Sequence, residues 1–359
     1  MKTPFVFFCA LFLCLALFAA DSNVVKIGVI LPLSGSNSQV GEPQLRAVKL
    51  FDKELQTNHY KHTYKVIVED DQFIPRMTME AANKLLYFDK VDAMVLHGIA
   101  PGNAVAPKTK VAGIPMLCIN ASYPKIADGK TNFLHWPPVE EEATRLVDLM
   151  KKLGCKRIAI LSDIHPGIQS VLAEIEKQMK ERGDFEIVAD YKTNPGELDF
   201  RTVMGMIREK KPDTLLPFAI SPEIDRMMQQ RKQAGLDCRV VTFECFNFMA
   251  EKINAEGCYY VSPSIGTTDF QARLKAATGQ ESEYCVAHEY DAMNLVRMAY
   301  EQQDKIDHAK ACAWIAGLKD YPSAVGNITT DEHGVIHSPV KIFQIQKGKA
   351  VEVKLDDVK

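Results

Sequence analysis

The stretch VVKIGVILPLSGSNSQVG, residues 24–41, decides how the rest of the chain is read. Residues 24–31 form an apolar β run that breaks at Pro32. A loop of small polar residues, 34–41, follows, and then a helical pattern over about residues 43–55. Pro43 falls where a first-turn proline is expected, because the amide hydrogen it lacks would have no partner there. Strand, small-residue loop and helix in that order make one βα unit. In open α/β sheets, ligands bind at the carboxyl ends of such strands, held by loop amides and helix N-termini.

The unit recurs along the chain. Residues 64–69, 93–96 and 114–119 read as further strands, separated by helical stretches over 75–89 and up to Ala112. The pattern breaks at His135-Trp136-Pro137-Pro138, since adjacent prolines fit neither a helix interior nor an inner strand. It then restarts, with a helix over 139–153 and strands over 157–161, 186–191, 214–218, 239–243 and 259–262. Helices over 168–182, 200–211, 222–234 and 246–255 alternate with them. Beyond Asp269 three helical segments are expected, at 270–277, 283–303 and 309–318, before a closing hairpin of 341–346 and 350–353. This is an α/β chain of two doubly wound parallel-sheet lobes. Two such lobes joined by a stiff connector imply a central cleft, the usual place for a small ligand, with hinge closure as the expected motion.

Composition narrows the function classes. A length of 359 residues exceeds what one core supports. A net charge of −3 with no basic cluster argues against nucleic acid or an anionic membrane as partner. Residues 1–20 stand apart: Lys2 precedes an apolar run over 5–20 that ends in small residues before Asp21. That is the outline of a secretory signal peptide cleaved after Ala20, and it implies a periplasmic protein. The alternative at Cys9 or Cys14 is a lipid anchor, which the bulky Leu13 before Cys14 disfavours. Of nine cysteines, those two fall in the leader, which leaves seven. An odd number without a CxxC reads as small core residues first, with one bridge among the cysteines of 238–258 as the alternative.

Catalytic signatures are missing from the sequence. The nearest approach to G-x-S-x-G, at 262–266, opens on serine instead of glycine, and neither G-x-G-x-x-G nor a GK[ST] phosphate loop occurs. The pairs His59/His62, Cys285/His288 and His333/His337 lack a third ligand, so neither metal nor cofactor is expected. Asp70 and Asp71 read as turn chemistry at a strand end. What remains is a set of strand-end loops, among them 97–103, 120–123, 162–167 and 219–221, together with Glu244. A carboxylate there is costly unless it meets a cation. That cation is either a ligand ammonium or an Arg or Lys of the facing lobe.

Several strings, taken in order, resemble the periplasmic solute-binding proteins of branched-chain amino-acid ABC transporters, the leucine/isoleucine/valine-binding family. They are residues 26–33 with Ser34-Gly35 and Gly41, then 69–71, 91–94 and 112–115, and, further on, 156–161, 199–200 and 222–223. The resemblance implies a type I binding-protein fold whose chain crosses the hinge three times, with lobe 1 at 24–137 plus 268–325 and lobe 2 at 138–267 plus 326–353. It implies a monomeric, non-enzymatic receptor that captures an amino acid, branched-chain or otherwise apolar, and hands it to a membrane permease–ATPase complex. Carried over residue by residue, Ser122 with Asn120 meets the ligand carboxylate, Glu244 accepts the ammonium, and Tyr290 walls the pocket. Ala100, in a loop lacking the expected serine, is a further contact, while Val40 and Ile220 stand where aromatics are expected. These departures leave an aromatic or other organic acid open as ligand. His97 and Trp136 either face such a ligand or pack the loop and the hinge. A ligand-sensing role in a signalling system is the remaining alternative.

Overall fold

The computed structural model describes residues 23–122 and 124–358, so the expected leader lies outside the described residues. The first segment runs β1 (Val24–Leu31), α1 (Ser38–Thr57), β2 (Thr63–Asp70), α2 (Pro75–Asn83), β3 (Ala93–His97), α3 (Ile99–Ala112), β4 (Met116–Ile119) and β5 (Asn132–Leu134). The second runs α4 (Val139–Lys152), β6 (Arg157–Asp163), α5 (Pro166–Arg182), β7 (Glu186–Thr193), α6 (Arg201–Glu209) and β8 (Thr214–Phe218). It continues through α7 (Glu223–Gln233), β9 (Arg239–Phe243) and β10 (Tyr259–Pro263). Then come α8 (Thr268–Thr278), α9 (Val286–Glu301), α10 (His308–Ala316), β11 (Tyr321–Ser323), β12 (Gly326–Thr330) and β13 (Ile336–His337). The strands β14 (Val340–Gln346) and β15 (Lys349–Val353) close the chain.

Among the described residues these elements form two compact units, one up to residue 136 together with 265–337 and one of 137–264 together with the residues from 338 on. In the first, five parallel strands lie in the order β2-β1-β3-β4-β5. The period of two in β1 explains its sequence, apolar on both faces apart from Lys26 near its start. Val25, Ile27, Val29 and Leu31 face one core cluster with residues of α1 and α9, and Ile30 faces the other with Met94, Leu96 and Leu85. A strand covered on both faces has no solvent side to keep polar. Each of its fully buried side chains stabilises the unit by about 1.5–3 kcal/mol.

The second unit has a seven-stranded sheet, β15-β14-β10-β9-β8-β6-β7, in which β14 runs antiparallel to its neighbours β10 and β15 and the remaining pairs are parallel. Leu146, Val147, Leu149 and Met150 of α4 are buried. The helix packs against α5 and against β9, β10 and β14.

Three expectations need correction. The helix after β1 starts at Ser38, so Pro43 sits in its second turn and removes one internal hydrogen bond instead of none. The close approach of this helix to β1 is set by Gly41, where a Cβ would lie 2.1 Å from the Pro32 carbonyl oxygen. The chain passes between units at 136/137, 264/265 and 337/338, the last well beyond the expected 325/326. The cause is a small sheet, β11-β12-β13, held to the first unit by the Leu134–Val335 bridge and by Leu134 N–H donating to Gly334 O at 3.0 Å. The helix expected over 246–255 is instead two short turns, Cys245–Asn247 and Lys252–Ala255. The reading of the cysteines as small core residues first holds: the seven are free thiols, six of them buried, with no bridge among those of 238–258.

Candidate functional site

In the first unit the polar residues gather at the carboxyl ends of β1, β3 and β4. Asp70 closes the β1 loop by accepting from Leu33 N at 2.9 Å and from the Ser34 amide and hydroxyl. Burial alone would raise its pKa, but the bonds from Ser34, Gln72 and Leu33 hold it below the usual carboxylate value. Asp71 accepts from Phe73 N at 2.9 Å and from the Thr78 hydroxyl at 2.7 Å, and burial pushes its pKa up. Both acids serve the turn.

His97, the last residue of β3, is 3% exposed and joins a chain of side chains. The Tyr284 hydroxyl donates to Asn120 Oδ1 at 2.8 Å, which turns Asn120 Nδ2 toward His97 Nε2 at 2.9 Å. Because Nδ2 is a donor, Nε2 accepts, while Nδ1 lies against the Gln44 amide, 3.1 Å from its Nε2 and 3.3 Å from its Oε1. Gln44 in turn donates from Nε2 to Val40 O at 2.8 Å. Burial lowers the His97 pKa to about 4, so the ring is neutral near pH 7. Asn120 holds its place at φ 49°, a left-handed conformation that asparagine tolerates better than most residues. Gly98, at φ 94°, opens α3 where a Cβ would lie 2.3 Å from the Phe73 ring. Ala100 is exposed in the first turn of α3, Val40 and Ser122 are half-buried, and Ser122 follows Asn120 by two residues.

Tyr290, carried over as a pocket wall, and Trp136, left open between ligand and hinge, both have packing partners in the first unit. Tyr290 bonds through its hydroxyl to Glu54 of α1 and lies 3.0 Å from Arg273 of α8. Its ring meets Phe51 and Phe270. It therefore joins helices, whereas Tyr284 is the tyrosine tied to Asn120. Trp136 is buried against Tyr284 and His288, with ring centroids 5.4 and 4.6 Å away. Next to it His135 Nε2 lies 2.8 Å from Asp291 Oδ2, and Asp291 Oδ1 accepts from Ala324 N. His97 and Trp136 thus have packing and positioning work within the unit.

The second unit ends its strands differently. Ser162 Oγ accepts from Gln169 Nε2 at 3.1 Å, and Asp163 Oδ1 accepts from His165 N at 2.7 Å. Ile220, two residues beyond β8, is 44% exposed. Glu244 follows β9 at φ 30°, pinned by its own N–H donating to Val261 O and by Asn247 N donating to its carbonyl, both at 2.8 Å. Glu244 is mostly buried and acts electrostatically on Glu142 in the first turn of α4. Burial first, and Glu244 second, push the Glu142 pKa well above the usual value. Glu140, Glu141 and Glu142 together suit the positive N-terminus of α4, a local reading that does not single out the buried one. A signal was present: Glu142, Leu146 and Leu149 are spaced by four and three, which puts the acid on the apolar face. Among the described residues no cluster of three or more His, Cys, Asp or Glu could hold a metal, and no helix is long and apolar enough to cross a membrane.

The profile of the periplasmic binding protein family matches residues 24–350. The chain belongs to that family. As a type I periplasmic binding protein it is a solute-binding protein of ABC-transporter type, periplasmic or extracellular by family, and not an enzyme. An amino acid binding protein of Pseudomonas aeruginosa is 24% identical over 332 residues, covering 86% of this chain and 87% of that one. Among solved structures, the branched-chain amino acid transporter substrate binding protein LivJ from Streptococcus pneumoniae, in complex with isoleucine, aligns at TM-score 0.79. It is 19% identical, over 92% of this chain and 100% of that chain. A solute binding protein of an ABC transporter from Rhodopseudomonas palustris, in complex with 3,4-dihydroxybenzoic acid, aligns at TM-score 0.77. It is 24% identical, over 92% of this chain and 96% of that chain. Such likeness speaks for the two-lobed binding-protein fold.

Proposed function

We propose that this binding protein captures an α-amino acid with an apolar side chain by closure of its lobes and delivers it, as a monomer, to a membrane permease–ATPase complex. The observation that carries the reading is the mostly buried carboxyl of Glu244 at the end of β9, an acid in a low-dielectric setting. Such a centre favours an ammonium and disfavours a ligand that brings only another carboxylate. The first unit supplies the opposite preference. The Ser122 hydroxyl, the amide edge of Asn120 and the first-turn amides of α3 around Ala100 are neutral donors suited to a carboxylate. Val40 and Ile220 are the apolar positions that grade the side chain, and His97 and Trp136 stand behind the donors.

The dihydroxybenzoate complex of the R. palustris protein motivates a second reading, an aromatic acid as ligand. Thermal melts against a panel of amino acids and of benzoates separate the two, because a ligand of the native state raises the midpoint. A shift with L-isoleucine or another apolar amino acid is expected. A shift with benzoates alone would overturn the amino-acid reading.

A further inference from the structure

At the amino ends of β9 and β10 the second unit holds a cavity of about 710 Å³, walled also by β14, by the end of β15 and by the residues beyond it. Arg239, the first residue of β9, lines it, whereas Glu244 follows the last. The five residues of β9, about 16 Å of extended chain, lie between the two. The cavity is therefore separate from the carboxyl ends where the transported solute is expected.

Arg231, in the last turn of α7, stands half-buried in its wall. Its Nε is buried and meets no acceptor among the described residues, and its Nη1 lies 3.5 Å from Cys238 O, long for a hydrogen bond. No carboxylate pairs with it among the described residues. The other charges of the lining are otherwise engaged. Glu256 accepts from the amides of Lys347 and Gly348 at 2.8 and 3.0 Å, Arg239 is exposed and acts on Asp213, and Asp357 is exposed. Apolar surface comes from Leu153, Val240 and Val358, all buried. A guanidinium so short of acceptors costs free energy until an oxyanion meets it, and its planar fork suits a carboxylate. One unpaired positive charge against an apolar wall matches an anion of one charge with an apolar body. A phosphate dianion would bring a second negative charge toward Glu256 and Asp357.

We propose that this cavity is a second binding site, for a small organic carboxylate with an apolar body. The carboxylate pairs with the terminal nitrogens of Arg231, and the body lies against Leu153, Val240 and Val358. Its volume is that of an ordinary small-molecule site. The inference goes beyond the transported solute and does not depend on which solute that is.

Octanoate, one carboxylate on an apolar chain, is the probe. Nitrogen–proton NMR spectra of the full mature protein, with the Arg231 Nε–H signal identified by its loss in Arg231→Lys, follow the titration. Octanoate should move that signal and the backbone amides of residues 238–240 and 257–259. Acetate, which lacks the body, octanamide, which lacks the charge, and octyl phosphate should each bind at least about tenfold more weakly. Arg231→Gln should weaken octanoate by a similar factor, and Arg231→Lys, which keeps the charge without the fork, by less. Saturating L-isoleucine should leave the octanoate titration unchanged. An Arg231 signal that stays still throughout would overturn the site and leave water as the partner of that side chain. Equal binding of octanoate and octanamide, equal binding by wild type and Arg231→Gln, or displacement of octanoate by L-isoleucine would each overturn it as well. If Arg231→Gln fails to fold, the comparison of the four probes on the wild type still decides. Failure of every amino acid to bind, with the Arg231 signal moving, would sink the solute reading and leave this site standing.

Discussion

The two units solve the problem of polar groups at strand ends in opposite ways. In the first, Gln44, His97, Asn120 and Tyr284 satisfy one another in a neutral chain of hydrogen bonds, and burial keeps the imidazole uncharged. In the second, Glu142 and Glu244 concentrate acid where solvent barely reaches. A zwitterion needs one partner of each kind. The contrast also gives the halves opposite responses to pH, which makes it open to experiment.

The largest effect should come from removing the charge. Glu244→Gln is expected to cost about 2–5 kcal/mol of binding to an apolar amino acid, read by titration calorimetry, as for a truncated partner of a desolvated charge pair. Near-wild-type affinity would erase the asymmetry between the units. Next is acid sensitivity in the first unit. The folded-state pKa of His97, about 4, lies below its ordinary value of 6.5, so its contribution is present above that value and lost as pH falls toward 4. The neutral ring contributes up to about 3 kcal/mol that disappears over this window, and His97→Gln should flatten the acid limb of a midpoint-against-pH curve. Burial raises the Glu142 pKa, so the stability that group contributes is lost as pH rises; Glu142→Gln flattens the alkaline side, and the two variants act on opposite limbs of one profile.

A smaller effect is expected for Asn120→Ala, which removes the partner of both His97 and Tyr284 and places alanine at φ 49°. A loss of about 1–3 kcal/mol in denaturant unfolding should follow. The smallest is for Ile220→Ala. The side chain is 44% exposed, so stability should stay within about 0.5 kcal/mol while the preference among apolar amino acids shifts. A large loss of stability would place Ile220 in the packing and remove it from the binding surface.

Legibility in the sequence followed the range of the forces involved. The β1 run was readable because burial on both faces leaves a continuous apolar string. Asp71 was readable as turn chemistry because its partners Phe73 and Thr78 are close in the chain, whereas the bonds of Asp70 to Leu33 and Ser34 cross between two strand ends and were not. Pro43 misled because a helix packed along a sheet tolerates one missing hydrogen bond, and the close approach is written at Gly41 instead. Tyr290 and Tyr284 are both tyrosines at the head of one helical region, and nothing local distinguishes the one bonded to Glu54 from the one bonded to Asn120. The last passage between units was misplaced because β12 and β13 stay with the first unit through a strand bridge across some two hundred residues of chain, a pairing that periodicity does not encode.

By itself the sequence determined the α/β alternation, the stiff break at Pro137-Pro138 and the acid at the end of β9, because periodicity, proline geometry and the rarity of a charge beside a buried strand are local properties. Tertiary structure alone decided that Glu244 acts on a buried Glu142 and that His97 is neutral within a closed chain of donors and acceptors. Those facts depend on which side chains share a low-dielectric space, and that is settled only when segments a hundred residues apart pack together.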